Sequence, residues 1–100
     1  LSQDHILHIA TLQVDALAAR LKERSLDLLV TDEVKTYLAE QGFDPVYGAR
    51  PLRRTIQRLV ENPLAEALLA GDYVPGDALQ ASLEDGRIVF GKAEGISQAA

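Results

Sequence analysis

Apolar positions in the first quarter of the chain recur at about 100° per residue. Leu7, Ala10, Val14, Leu17 and Leu21 fall in one stripe, which predicts a helix from a Ser2 N-cap, through Asp4 and His5 in the first turn, to about Arg24. Ile6, Ile9, Leu12 and Ala16 lie off that stripe and widen the apolar arc beyond what one buried face needs. The surplus predicts a second contact surface, although a helix sunk between two layers would carry the same pattern. From residue 25 to 31 the period switches to two, with Leu26, Leu28 and Val30 alternating against Asp27 and Leu29, the pattern of a strand. Thr31 or Asp32 then caps a helix carrying Val34, Tyr37 and Leu38, which stops at Gly42 with left-handed backbone available to it. The segment 43–49 combines turn chemistry with large apolar side chains, so it reads as a structured loop.

Pro51 suits the first position of a helix running to about Glu61, with Leu52, Ile56, Leu59 and Val60 on its apolar face. Asn62 and Pro63 restart the pattern as cap and first position, and the new helix ends at Gly71, so a bend is expected near Asn62. Leu79, Ala81 and Leu83 alternate with polar residues, Asp85-Gly86 is a two-residue hairpin signal, and residues 87–90 return as the partner strand. From Gly91 the chain is small and polar and is expected to be a disordered tail. The order is helix, strand, helix, helix, helix, strand, strand. This predicts an α+β fold with helices on a small three-stranded sheet, in one domain over residues 1–92 and a tail over 93–100.

Composition narrows the picture. The chain has 100 residues, 47% of them hydrophobic, enough for one modest core. Its net charge of −5 gives no general attraction for nucleic acid or acidic membranes, so any anion site must be a local cluster. Cys is absent, which excludes disulfides and thiolate metal sites. Met is absent too, and the chain opens in Leu1-Ser2-Gln3-Asp4 already inside a helical pattern, so it reads as a piece of a longer protein.

The local cluster stands at the start of the third helix. Arg50 precedes Pro51, which pushes its backbone out of the helical region and sets it at or next to the N-cap, and Arg53 and Arg54 follow within a turn. Three cations therefore gather at the positive end of a helix dipole, each costing roughly 0.3–1 kcal/mol when exposed. No Asp or Glu in that turn offsets them. An anion is the natural partner, with guanidinium forks matching phosphate oxygens, and Gly48 and Ala49 leave room for close approach. The plainer reading is a solvated face, or pairing of Arg53, Arg54 and Arg58 with Glu33 or Glu40. His5 and His8 stand three apart on a helix but have no third ligand nearby, so a metal site is not expected.

The run Gly42-Phe43-Asp44-Pro45-Val46-Tyr47-Gly48-Ala49-Arg50-Pro51-Leu52-Arg53-Arg54-Thr55-Ile56-Gln57-Arg58, with Glu61-Asn62-Pro63-Leu64-Ala65 after it, resembles the C-terminal small (lid) subdomain of the second AAA+ module in Clp ATPase chaperones. The wording is most similar to that of ClpB-type disaggregases, and the likeness covers residues 1–92. The resemblance implies that Gly48, Ala49 and Arg50 form the sensor-2 motif, whose Arg reaches the phosphates of ATP, and that Ile6 or Ile9 lines the adenine pocket. It also implies partners: a large AAA+ subdomain of the same chain that holds ATP with Mg²⁺, neighbouring subunits of a homohexamer, and unfolded or aggregated client proteins. It implies a cytoplasmic setting; the net charge and the want of an apolar run of roughly 20 residues already argue against nucleic acid and membrane as partners. No Gly-x-x-x-x-Gly-Lys-Ser/Thr run occurs in the sequence, so this chain alone is not expected to hydrolyse ATP. The alternatives are the same lid in a Clp unfoldase that feeds a protease, or a stand-alone protein-interaction module.

Overall fold

Ser2 caps the first helix through its hydroxyl, which accepts the His5 N–H at 3.1 Å in the computed structural model, where residues 2–93 are described. Helix α1 (Gln3–Lys22) buries Ile6, Ala10, Val14, Leu17 and Leu21. Ile6 thus takes the core place expected of Leu7, which is only half-buried, while Leu12 and Ala16 remain exposed. The helix closes by a Schellman pattern. The Leu26 N–H reaches the Leu21 carbonyl at 3.0 Å, the Ser25 N–H reaches that of Lys22 at 2.9 Å, and both leucines are buried. Ser25 therefore sits at φ 63°, the left-handed conformation usually taken by glycine, and is not the first residue of the strand.

Strand β1 (Asp27–Val30) turns Leu28 inward and Asp27 and Leu29 outward. Thr31 caps α2 (Asp32–Gln41) by accepting the Val34 N–H at 3.3 Å. Gly42 ends that helix at φ −94°, which corrects the expectation of a left-handed glycine. Its requirement is steric: an added β-carbon would lie 2.5 Å from Leu52 Cδ1 and 2.7 Å from Leu52 Cα.

Helices α3 (Leu52–Ile56) and α4 (Asn62–Leu69) are joined by a π-helical turn (Gln57–Glu61) and run on without a break. The expected cap at Asn62 is absent, because Glu61 and Asn62 both keep helical backbone. Pro63 has no N–H to give the Leu59 carbonyl, and its ring would crowd that carbonyl in a regular turn. The wider turn makes room instead, with the Asn62 N–H bonded back to the Gln57 carbonyl. The same widening keeps Leu52, Ile56, Val60 and Leu64, four apart, all buried. In a regular helix each four-residue step overshoots a full turn by about 40°, so three steps drift about 120°, and one extra residue in the turn takes back about 100°.

The sheet order is β1-β2-β3, with β1 parallel to β2 (Ala78–Glu84) and β2 antiparallel to β3 (Arg87–Lys92). Asp85 (φ 52°) and Gly86 (φ 74°) make the two-residue hairpin that their sequence predicts. Strand β3 runs past Phe90 to Lys92, which pairs with Leu79, so the tail does not begin at Gly91. Ala93 is buried and donates its N–H to the Ala78 carbonyl at 2.8 Å; the rest of the expected tail, 94–100, lies outside the described residues. The helices pack on one face of this mixed sheet, an α+β fold whose centre is Val34, Leu38, Leu52, Val60 and Leu79. No helix among the described residues is long and apolar enough to cross a membrane.

Candidate functional site

The loop between α2 and α3 is built around Asp44. Its backbone exchanges two hydrogen bonds with Gly48, at 2.8 and 2.7 Å. Its carboxylate accepts the N–H groups of Val46 at 2.7 Å and Tyr47 at 3.3 Å. Gly48 closes this turn at φ 64°, where a side chain would be strained. The carboxylate anchor follows from the Asp-Pro-x-x-Gly spacing and makes the segment the structured loop expected of it.

Arg50 leaves the loop with its N–H on the Tyr47 carbonyl at 3.2 Å. Pro51 is the N-cap residue of α3 (φ −73°, ψ −7°), one place earlier than its expected position inside the helix. The Arg50 guanidinium carbon stands 5.5 Å from the centroid of the Tyr47 ring, and both side chains are exposed. Such a contact contributes about 0.5–1 kcal/mol and, more to the point, holds the guanidinium beside the helix start.

Arg50, Arg53 and Arg54 line one depression of about 440 Å³ together with Pro51 and Gln57. No carboxylate lines it. The ion pairs of the described residues join Arg20 to Glu61, Lys22 to Asp27 and Lys92 to Asp77. Pairing of the α3 arginines with Glu33 or Glu40 is therefore not found among them. Gln57 was not singled out from the sequence; its place four residues after Arg53 on the same helix face is the signal that could have found it.

Ala49 is half-buried and accepts the Leu52 N–H at 3.0 Å, which ties the turn before Arg50 to the helix start. Ile6 is in the core and borders a separate groove with Leu7, Ala39 and Phe43, of about 230 Å³. Ile9 packs half-buried against the core. Neither lines the depression of Arg50. His5 and His8 are exposed, and no group of three metal-binding side chains gathers among the described residues.

What the depression can do chemically is bind an anion. Three guanidinium groups present fixed charge and forked donors to one volume of a size that admits phosphate groups. The donor set fits phosphate oxygens, and no carboxylate in its lining competes for those donors.

Comparison with known proteins gives a consistent family. A family model described as the C-terminal, D2-small domain of ClpB protein matches residues 1–81. The chain is 52% identical over 88 residues to the chaperone protein ClpB of Vibrio cholerae, covering 88% of this chain and 10% of the relative. It is 48% identical over 91 residues to ClpB of Pseudomonas putida, covering 91% and 11%. To ClpB of Streptomyces albus it is 49% identical over 96 residues, covering 95% and 11%. The chain thus spans about a tenth of the length of the curated relatives it matches.

Proposed function

Since the chain belongs to the family of the C-terminal, D2-small domain of ClpB protein, we propose that it is the lid subdomain of an ATP-driven disaggregase and that Arg50 senses bound nucleotide. Arg50 meets the phosphates of ATP held mainly by a large AAA+ subdomain of the same protein. The observation that carries this reading is the depression shared by Arg50, Arg53 and Arg54 and free of any lining carboxylate.

Each part of the chain has a task in this account. The Asp44 turn and Gly48 set the entry to α3; Tyr47 flanks the guanidinium. Arg50 offers two parallel N–H donors to phosphate oxygens, and a site closed from water by the large subdomain would strengthen them. ATP, when bound with Mg²⁺, supplies the charge that these donors answer. The buried stripe from Leu52 to Leu64 then fixes the guanidinium to the core, so a change at the phosphates is felt by the whole lid as one body. Rotation of the lid would pass to neighbouring subunits of a homohexamer and on to aggregated client proteins in the cytoplasm.

The test uses the full-length protein that carries this chain. Arg50→Ala is expected to lower ATP turnover or nucleotide affinity about ten- to hundredfold, the equivalent of the roughly 1.5–3 kcal/mol that a hydrogen bond to a charged group contributes. Arg87→Ala, on the hairpin away from the depression, is expected to change neither. If Arg50→Ala leaves both unchanged, the sensor reading is wrong.

A further inference from the structure

Of the three guanidinium groups around the depression, Arg50 alone has an aromatic ring beside it among the described residues, its guanidinium carbon 5.5 Å from the Tyr47 centroid. That ring is not there to fill the core: Tyr47 is 59% exposed and stands outside the buried cluster. Its placement comes from the backbone. The Asp44 carboxylate accepts the Tyr47 N–H at 3.3 Å, and the Tyr47 carbonyl accepts the Arg50 N–H at 3.2 Å. One turn therefore fixes both residues, with Gly48 at φ 64° reversing the chain between them.

An exposed arginine has much to lose on binding. Its long side chain samples many rotamers in water, and fixing them opposes every contact that the guanidinium makes. A ring that attracts the cation removes part of that cost in advance. It does so without using a donor, because the attraction acts through the face of the guanidinium, whose five N–H groups lie in its plane. A carboxylate in the same place would also hold Arg50, but it would occupy the donors and cancel the charge that a phosphate answers. At Arg50 the ring is present and the lining carboxylate is not.

We infer that Tyr47 is a positioning residue for Arg50: the π face of its ring holds the guanidinium poised, with its donors free, for the phosphates of the nucleotide. The inference rests on the reading of Arg50 as a nucleotide contact and adds what prepares that contact. It also ranks the cluster. Arg50 is poised, whereas Arg53 and Arg54 contribute charge from side chains with no ring beside them among the described residues, and so act independently of Tyr47. What counts at position 47 is then the electron density of the ring rather than its bulk, and Phe serves there about as well as Tyr.

The readouts are ATP turnover and the affinity for a fluorescent ATP analogue, in the full-length protein that carries this chain; the quantity to follow is the one that Arg50→Ala lowers. Tyr47→Phe is expected to stay within about twofold of the parent. Tyr47→Leu should lower it about two- to thirtyfold, the span between an exposed and a desolvated cation–π contact. Pentafluorophenylalanine in place of Tyr47 keeps the shape of Phe but reverses the charge on the ring face, so it should fall to the Leu value or below. In a double-mutant cycle, Tyr47→Leu should cost little once Arg50→Ala is made, whereas Tyr47→Leu and Arg54→Ala should add. Arg50→Ala without effect on either readout sinks the nucleotide reading itself. If Arg50→Ala has its full effect, but the pentafluorophenylalanine variant matches Phe or the Arg50–Tyr47 cycle is additive, the role of Tyr47 alone is overturned.

Discussion

Gly42 carries ordinary backbone at φ −94°, yet it is buried against the start of α3 with no room for a β-carbon. Gly42→Ala should therefore destabilise the fold by about 1–3 kcal/mol through overpacking, measured by urea denaturation. Because the atoms it would meet include Leu52 Cα at 2.7 Å, truncating the Leu52 side chain should not rescue it. Rescue by Leu52→Ala would contradict a backbone contact. Leu52 is ten residues away in sequence, which is why this glycine was legible as a helix end but not for its reason. Ser25 was illegible in the opposite sense: the Schellman closure of α1 asks for a left-handed residue there, and its sequence carries none of the usual glycine signal. Arg50, Arg53 and Arg54 were legible as a cluster because they lie within five consecutive positions at a helix start, and the structure gives them one depression. Tyr47 beside Arg50 follows from the turn that Asp44 and Gly48 close.

Among the elements, the helix that continues through a π turn is the most informative. Two causes act there together: Pro63 refuses a regular turn, and the four-residue spacing of Leu52, Ile56, Val60 and Leu64 needs slower winding. Deleting exposed Arg58 would restore a regular helix and still keep those four side chains on one face, since the spacing becomes four, three, four. Pro63 would then clash, so the deletion alone should cost about 3 kcal/mol, and deletion combined with Pro63→Ala should recover most of that. A neutral deletion in the presence of Pro63 would show that Pro63 is not what widens the turn. The sequence marks Asn62 and Pro63 as the start of a new helix, and that reading fails because local cap chemistry lost to the packing of a shared core stripe. The strands and the hairpin were legible from alternation and the Asp85-Gly86 pair, since both signals are local. The extension of β3 through Gly91 and Lys92 was not, because pairing with Leu79 and Gln80 supplies what small and polar side chains do not advertise.

At the scale of the whole molecule, charge is divided unevenly. A chain of net charge −5 keeps Arg50, Arg53 and Arg54 around one open surface at the start of α3. The D2-small family assignment and the α+β fold explain how the surface is held; the proposal that ATP phosphates lie at its Arg50 end explains why its cations stand without carboxylates. The most direct measurement is an experimental structure of the full-length protein with a slowly hydrolysed ATP analogue bound. The Arg50 guanidinium is expected within hydrogen-bonding reach of a phosphate oxygen, about 2.7–3.2 Å, with Tyr47 still against its face. A bound nucleotide whose phosphates are enclosed by other side chains while Arg50 points to solvent would contradict it.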